Sequence, residues 1–372
     1  MGHKEKYFCI ITTSGIGGVW SVVKESILLL SDIYETYLII YTQCGKIEKG
    51  VIAFLEYHRI SYYIIDIPTS NGWVYDFYRY CQIGRLKKII GKGPAIIHSH
   101  DSYISGSVLF PLRKLNYKLF CTFHGTMFPC TSLKSYIQYF FNKCIRIPLI
   151  QMSQATLVSC DPCSIPIIEK YFRNRKIELA INGVIPSDIK HVRSNKDGLV
   201  IGYISRFHPL KGWKILAQAV KNLNERGYNI ILYFAGKGEC DFEIQSWCSL
   251  NKHCVYLGHV DDVKKDIFHI IDVHVLPTMY PEGLPMIILE TMAASIPTIT
   301  TNVGSCAYAV KDGVNGFIIN PTIADLESKI LELYCDKELY AKMQTNCYDI
   351  WLKFFSSRAM VNNYYRIFNK IE

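Results

Sequence analysis

Two glutamates, Glu282 and Glu290, flank a short turn, Gly283-Leu284-Pro285, and their types and spacing suit a binding site. A helix is predicted to start at Pro285, because a proline at the first helical position gives up no intrahelical hydrogen bond. Ser295-Ile296-Pro297 is expected to end that helix. Since helical Cβ atoms lean toward the N-terminus, Glu290 is predicted to point back toward the loop that holds Glu282.

The predicted helix start also offers unpaired backbone N–H groups and the positive end of a helix dipole. Carboxylates accept hydrogen bonds from hydroxyls, and a helix N-terminus favours a phosphate. A nucleotide-sugar carries both kinds of group. The N–H groups that would bind the phosphate are those of Gly283, Leu284, Met286 and Ile287. The alternative interpretation is an ordinary helix with one solvated glutamate and one capping glutamate.

Two cations, Arg206 and Lys211, lie in the loop after a predicted strand, Leu199–Ile204. A guanidinium fork and an ammonium point charge can together neutralise a diphosphate. The chain has no Asp-x-Asp sequence that would hold a metal ion on such a diphosphate. We therefore expect neither a metal nor another cofactor.

Strands and helices alternate through both halves of the chain, which favours parallel, doubly wound α/β sheets. Each half opens with a strand and a glycine-containing loop, so we predict two Rossmann-like domains facing across a cleft. They would span residues 1–185 and 198–350, with a polar linker between them and a helix at 351–372 that crosses back to the first domain. The predicted strands include Tyr7–Ile11, Tyr37–Tyr41, Tyr62–Ile67, Thr156–Ser159, Leu199–Ile204, Ile230–Ala235, Val255–Leu257, Val273–Leu276 and Thr298–Thr301.

Three histidines follow or end predicted strands of the first half: His98, His100 and His124. Ligands of doubly wound sheets bind at the carboxyl ends of strands. Any one of these histidines alone would be a structural residue, whereas three at one edge favour a binding site.

The composition excludes several classes of protein. No run of 18 apolar residues predicts a membrane span. The 14 cysteines lie mainly in apolar strings, as reduced thiols do, which favours the cytosol over a disulfide framework. Cys160 and Cys163 have redox-motif spacing, and Cys121, His124 and Cys130 could be named as metal ligands, but neither set matches a usual pattern.

The net excess of positive charge lies entirely in the first half of the chain. Residues 1–190 hold 22 Lys and Arg against 13 Asp and Glu, whereas residues 191–372 hold 19 of each. Much of the excess stands beside aromatics, in Phe77–Tyr80, Arg85–Lys88 and Lys134–Arg146. Such stretches suit an anionic membrane surface. A solvated basic face is the alternative, and no nucleic-acid motif is present, so no nucleic-acid partner is expected.

The motifs of both halves resemble those of the retaining glycosyltransferases of family 4, which have the GT-B fold. The resemblance covers most of the chain and is strongest from Ile201 to Pro321. It rests on the joint spacing of several motifs, no one of which is specific alone. They are Gly17-Gly18, His98-Ser99-His100, His124-Gly125, Asn182-Gly183-Val184, Gly202–Arg206, Lys211-Gly212, Ala235–Gly238, Leu257-Gly258, Glu282–Pro285 with Glu290, Asn302–Ser305 and Asp312–Gly316.

The resemblance implies a role for each matching residue. Glu290 would bind the ribose hydroxyls, and Glu282 would hold sugar hydroxyls beside the anomeric carbon. Arg206 and Lys211 would stabilise the departing diphosphate, and His124 would contact the sugar. Further donor-binding positions would be Gly17, Gly18, Gly283, Leu284, Met286 and Gly304.

The expected activity is therefore retaining, metal-independent transfer from a nucleotide-sugar, with a UDP-sugar favoured over GDP-mannose. The acceptor would be a lipid-linked saccharide in O-antigen, capsule or lipopolysaccharide assembly. The protein would be bacterial, cytoplasmic and peripheral at the inner face of the cell membrane. The alternatives are a nucleotide-sugar epimerase of the same fold and a non-catalytic nucleotide-sugar-binding subunit.

Overall fold

The computed structural model describes residues 4–12, 18–69, 72–100, 102–124, 133–187, 198–280 and 282–370. The chain divides into two compact units. Unit 1 comprises Met1–Asn182 together with Met360–Glu372, and unit 2 comprises Gly183–Ala359. Each unit holds one parallel sheet with flanking helices, so the predicted pair of Rossmann-like α/β domains is confirmed.

The sheet of unit 1 has seven described strands in the order β3-β2-β1-β4-β5-β6-β7. The strands are β1 (Lys6–Ile11), β2 (Glu35–Gln43), β3 (Ser61–Ile67), β4 (Ala95–Ser99), β5 (Tyr117–Phe123), β6 (Thr156–Ser159) and β7 (Ile177–Leu179). The helices are α1 (Gly18–Leu30), α2 (Lys49–Tyr57), α3 (Gly72–Cys81), α4 (Ile83–Ile90), α5 (Gly106–Leu112), α6 (Leu133–Phe141), α7 (Ile147–Ser153) and α8 (Ile165–Tyr171). A π-helical turn, Asn142–Arg146, joins α6 to α7.

The sheet of unit 2 has six described strands in the order β10-β9-β8-β11-β12-β13. They are β8 (Leu199–Ile204), β9 (Ile230–Ala235), β10 (Cys254–Gly258), β11 (Val273–Leu276), β12 (Thr298–Thr301) and β13 (Gly316–Ile319). The helices are α9 (Trp213–Glu225), α10 (Asp241–Leu250), α11 (Val263–Asp266), α12 (Met286–Ala293), α13 (Cys306–Ala309), α14 (Ile323–Cys335) and α15 (Lys337–Ile350). A further helix, α16 (Ser357–Phe368), begins in unit 2 and continues into unit 1.

The core of unit 1 is completed by residues from the far end of the chain. Tyr364 and Phe368 on α16 are buried. Phe368 packs edge-on against Phe120 of β5, with ring centroids 4.6 Å apart, and lies 5.6 Å from Tyr7 of β1. Since strands of a parallel sheet are covered on both faces, α16 supplies the cover for β1, β4 and β5.

Two arginines that the sequence places in the basic, aromatic stretches are internal, and for them the prediction of a surface role is wrong. Arg79 is 0% exposed and stacks its guanidinium 4.6 Å from the ring centroid of Tyr41. Arg146 is also buried, and its Nε lies 2.6 Å from a carboxylate oxygen of Asp76. Burial opposes ionisation of that carboxyl and raises the pKa of Asp76, while Arg146 acts in the opposite direction.

The described cysteines are all free thiols, and burial raises the pKa of several of them, such as Cys254 to about 11. In the part of the chain that the structure describes, no helix is both long enough and apolar enough to cross a bilayer.

Candidate active site

Two neighbouring loops of unit 2 bring the predicted charges together. β8 and β11 are adjacent in the sheet, so the loops that follow them leave from the same edge. The N–H of Met279 in one loop donates to the carbonyl of Leu210 in the other, at 2.7 Å. Gly212 has φ +75°, and a Cβ there would lie 2.1 Å from the carbonyl oxygen of Pro277. Only glycine therefore allows the two loops to approach this closely.

At this edge the Lys211 ammonium forms an ion pair with the Glu282 carboxylate. Both side chains are only 11% exposed, so solvent screens this pair less than a surface pair. The buried hydroxyl of Thr278 donates to the same carboxylate oxygen, at 3.1 Å. Glu282 is thus fixed from two sides, by a cation and by a hydroxyl.

The second cation, Arg206, shares an aromatic neighbour with Lys211. The guanidinium carbon of Arg206 lies 5.4 Å from the centroid of the Tyr280 ring, and Lys211 Nζ lies 5.2 Å from it. A cation within about 6 Å of an aromatic centroid is attracted by the ring quadrupole. The His208 ring meets Tyr280 edge-on at 4.9 Å. Tyr280 therefore contacts both predicted diphosphate-binding cations, next to Glu282.

The helix after this loop begins one residue later than predicted. Pro285 is the N-cap, with extended backbone angles (φ −63°, ψ 120°), and the first helical residue is Met286. The helix ends at Ala293, and Ser295 takes the left-handed conformation that terminates it. Among the described residues no acceptor is found for the N–H groups of Gly283, Leu284, Met286 and Ile287.

The loop carrying Glu282 is backed by the turn after β12. Gly304 has φ +56°, and a Cβ there would lie 1.9 Å from the carbonyl oxygen of Glu282. The Ser305 N–H donates to the Gly283 carbonyl at 3.0 Å. Gly304 thus packs against the backbone of the loop that carries Glu282. Its sequence motif alone does not predict this contact.

Glu290 lies in the second turn of α12 and its side chain is 22% exposed. Lys264 of α11 places its ammonium 4.0 Å from a carboxylate oxygen of Glu290. Sequence reasoning assigned no role to Lys264, Thr278 or Tyr280. Thr278 carries a local signal in the sequence, since it is a hydroxyl residue four positions before Glu282, whereas Lys264 comes from a separate element.

The other predicted site residues belong to unit 1. Gly17 lies outside the described residues. Gly18 is the first residue of α1, and a Cβ there would meet nothing within 4 Å, so the space beside it is open. His124 follows β5 at the carboxyl edge of the sheet and is partly buried. Its ring Nε2 lies 2.9 Å from Nδ1 of His100.

His98 and His100 are buried beneath His124. His98 lies within β4 and hydrogen-bonds with the Tyr7 hydroxyl (2.8 Å) and the Thr122 hydroxyl (2.6 Å). It is a satisfied core histidine, and of the three only His124 retains exposure beyond a few per cent. Burial lowers the pKa of His98 to about 3 and that of His124 to about 4. His124 is therefore neutral near pH 7 and can serve as a hydrogen-bonding group, not as a cation.

These histidines predict a loss of stability in mild acid. The unfolded chain binds a proton at each histidine below about pH 6.5, whereas His98 stays neutral in the folded chain. The free energy of unfolding should therefore fall as pH drops from about 6.5 toward 4.5, by up to about 1.4 kcal/mol per pH unit for each such histidine. Urea unfolding from pH 7 to 4.5 measures this slope.

A His98→Gln variant isolates one contribution. It should be less stable than the parent at pH 7, yet its stability should fall less steeply with acid. The exposed His269→Gln variant is the matched control and should keep the parental slope. Equal slopes for His98→Gln and the parent protein would contradict the assignment.

The chain resembles known proteins in its fold and in its sequence. Its two parallel-sheet domains form the GT-B fold of glycosyltransferases. The Anabaena protein Alr3699/HepE, solved in complex with UDP, matches with a TM-score of 0.78 at 15% identity, covering 98% of this chain and 100% of that chain. This likeness concerns the fold.

Residues 184–349, which make up most of unit 2, match the family described as "Glycosyl transferases group 1". The "Uncharacterized glycosyltransferase MJ1178" of Methanocaldococcus jannaschii is 29% identical over 357 residues, 91% of each chain. The Escherichia coli "UDP-Gal:alpha-D-GlcNAc-diphosphoundecaprenol alpha-1,3-galactosyltransferase" is 27% identical over 273 residues, 68% of this chain and 69% of that one. Other relatives are named for capsular polysaccharide and lipopolysaccharide synthesis. Together these findings support a glycosyltransferase of the GT-B fold.

Proposed function

We propose that this protein is a retaining glycosyltransferase of family 4 that moves a sugar from a UDP-sugar to a lipid-linked saccharide. The acceptor would be an intermediate of O-antigen, capsule or lipopolysaccharide assembly. The observation that carries the proposal is the largely buried Lys211–Glu282 pair beside Tyr280. In this pair a cation, which we propose for the leaving diphosphate, lies next to a carboxylate, which we propose for the sugar hydroxyls.

The proposed chemistry assigns each charge a task. Arg206 and Lys211 stabilise the negative charge that develops on the diphosphate as the glycosidic bond breaks, an electrostatic effect that often makes the greatest contribution to catalysis. The free N–H groups at the start of α12 bind the same diphosphate. Glu282 holds sugar hydroxyls beside the anomeric carbon. The acceptor hydroxyl attacks the anomeric carbon from the face that the diphosphate leaves, as the bond from that carbon to the diphosphate oxygen breaks, and its proton passes to the departing diphosphate oxygen. The anomeric configuration is therefore retained.

The proposed donor and acceptor draw support from the relatives. The Anabaena protein of the same fold was solved with UDP, and the E. coli relative is named for transfer from UDP-Gal to a diphosphoundecaprenol-linked sugar. We propose the same classes of donor and acceptor here, with Arg206 and Lys211 taking the place that a metal ion would hold on the diphosphate.

The proposed place of action is the cytoplasmic face of a bacterial membrane, with unit 1 in contact with anionic lipid. Although Arg79 and Arg146 are internal, other members of the basic, aromatic stretches are exposed. Aromatic rings favour the headgroup region, and lysines are attracted to its negative potential. The exposed set is Phe77, Tyr78, Tyr80, Arg85, Lys87, Lys88, Tyr136, Phe140 and Lys143.

The test is a donor screen followed by a transfer assay. UDP, GDP, ADP and their common sugars are compared by thermal shift, with and without a chelator. A ligand at a hundred times its Kd stabilises the folded state by about 2.7 kcal/mol. A shift with UDP alone, unchanged by chelator, supports the proposal. Transfer to a diphosphoundecaprenol-linked sugar, with the product anomer assigned by NMR, then tests retention; an inverted product or a chelator-sensitive shift would contradict it.

Glu290→Ala tests the proposed ribose contact. A hydrogen bond to a charged group contributes about 1.5–3 kcal/mol, so the Kd for UDP should rise by about 10- to 100-fold. The variant should also bind UDP and 2′,3′-dideoxy-UDP equally, whereas the parent protein should prefer UDP. Glu243→Ala, on the exposed face of α10, is the matched control and should keep the preference. An unchanged preference in Glu290→Ala would contradict the assignment.

A further inference from the structure

A cavity of about 520 Å³ opens on unit 1 between α7 and α8. We call it the α7–α8 pocket and define it by six of its lining residues: Lys143, Ile147, Met152, Lys170, Tyr171 and Arg173. Lys143 belongs to the π-helical turn before α7, and Arg173 follows the end of α8. None of these residues belongs to the candidate active site.

The pocket combines three cations with apolar walls. Lys143, Lys170 and Arg173 are exposed. Within the described residues none of the three has an ion-pair partner, and Glu169, beside Lys170 on α8, does not line the pocket. Ile147 and Met152 line the walls between them. Unpaired cations beside apolar walls suit a ligand in which a phosphate is joined to a hydrocarbon.

A second cavity of unit 1 shows what distinguishes the α7–α8 pocket. That cavity has a similar volume, about 470 Å³, and it also holds three lysines, Lys87, Lys88 and Lys92. Its large exposed apolar lining is limited to Leu115. The α7–α8 pocket instead adjoins the α6–α7 helical segment, whose exposed apolar side chains are Tyr136, Ile137, Phe140, Ile145 and Met152.

We propose that the α7–α8 pocket binds the phosphate headgroup of an anionic phospholipid. The three cations would hold the phosphate while the exposed side chains of the α6–α7 segment enter the region between headgroups and acyl chains. The proposal rests on the membrane contact of the proposed function and specifies where that contact is made. It requires no donor or acceptor sugar, so it is separable from catalysis.

The test compares two triple variants of the full chain that lose the same charge. The first replaces Lys143, Lys170 and Arg173 by alanine, and the second replaces Lys87, Lys88 and Lys92. Binding is measured by sedimentation with phosphatidylcholine vesicles that contain about 30% phosphatidylglycerol, and with phosphatidylcholine vesicles alone. Each positive residue near an anionic leaflet contributes substantially to attraction, so the first variant should bind about 100-fold more weakly than the parent protein. The second variant loses Lys87 and Lys88 of the exposed basic set but leaves the α7–α8 pocket intact, so its binding should fall by no more than about tenfold.

Two further measurements address the apolar wall and the source of the phosphate. Met152 is 50% exposed, so Met152→Ser should not disturb folding; it should lower the binding that survives 0.5 M salt, since salt screens only the electrostatic part. Soluble glycerol phosphate at millimolar concentration should not displace the protein from vesicles.

The outcomes separate the possibilities. Equal losses in both triple variants would show attraction by net charge and overturn the pocket, as would parental binding of the first variant. Displacement by glycerol phosphate would indicate a site for a free phosphate and overturn the lipid assignment. The UDP thermal shift is recorded on the same samples. A missing shift in the parent protein counts against the proposed function and leaves the vesicle result to decide the pocket.

Discussion

Replacing Lys211 by alanine should lower kcat for sugar transfer by about 100- to 1,000-fold, the usual effect of removing one preorganised group that stabilises developing negative charge. The ammonium pairs with Glu282 at a site that is only 11% exposed. Its loss therefore removes the proposed charge opposite the diphosphate and leaves the carboxylate with the Thr278 hydroxyl as its remaining described donor. The KM for the acceptor should change much less than kcat.

Steady-state kinetics with the donor identified by the thermal-shift screen measures this effect. Lys214→Ala is the matched control, because Lys214 lies three residues further along the chain and pairs with Glu243 on the surface. The control should keep kcat within about twofold, as expected for an exposed pair. A Lys211→Ala enzyme that turns over within a few-fold of the parent protein would remove Lys211 from the catalytic assignment.

Replacing Gly304 by alanine should lower transfer by about 100-fold although Gly304 contributes no side chain. A Cβ at this position would lie 1.9 Å from the carbonyl oxygen of Glu282, so the loop of the candidate site must shift. A misplacement of about 1 Å at a reacting centre can cost about 100-fold in rate. The donor Kd should rise as well, because the adjacent N–H groups move with the loop.

Gly313→Ala is the control that separates this clash from backbone strain. Gly313 also has a positive φ, +70°, but a Cβ there would meet nothing within 4 Å. Both variants therefore bear the cost of a left-handed alanine, about 1–2 kcal/mol, and only Gly304→Ala should lose activity. Equal activity in the two variants, at equal stability by urea unfolding, would show that Gly304 does not shape the site.

The fold could be predicted from the sequence because its signals are local. Apolar strands recur between helical stretches, and a parallel sheet buries both faces of each strand. The predicted strand Thr156–Ser159 is confirmed to the residue, and Leu199–Ile204 likewise. The start of α12 was misplaced by one residue, because Pro285 fits both the first helical position and the N-cap, and its ψ of 120° decides between them.

Only part of the candidate site could be predicted from the sequence. Lys211 and Glu282 could be named because each stands in a loop directly after a strand, where parallel sheets bind ligands. Lys264 could not be found in this way, since its position next to Glu290 depends on how α11 packs. The histidines illustrate the same limit: His98 and His124 occupy similar sequence positions, yet one is core and the other is partly exposed.

The charge count predicted a surface role wrongly for two arginines that are buried. Composition places Arg79 and Arg146 in the basic half, but Arg79 stacks on Tyr41 and Arg146 pairs with Asp76 inside unit 1. A sequence shows that a cation is present and not which partner surrounds it. Lys143, three residues before Arg146, is exposed, whereas Arg146 is buried.

Because α16 follows the whole of unit 2 in the chain, unit 1 is completed late in synthesis. Tyr364 and Phe368 cover the strands that contain Tyr7 and Phe120. These strands are synthesised more than 200 residues before α16. Unit 1 therefore cannot close its apolar interior while unit 2 is still being translated. The strands that are synthesised first therefore keep apolar surface exposed until the helix that follows the whole of the second unit has been made.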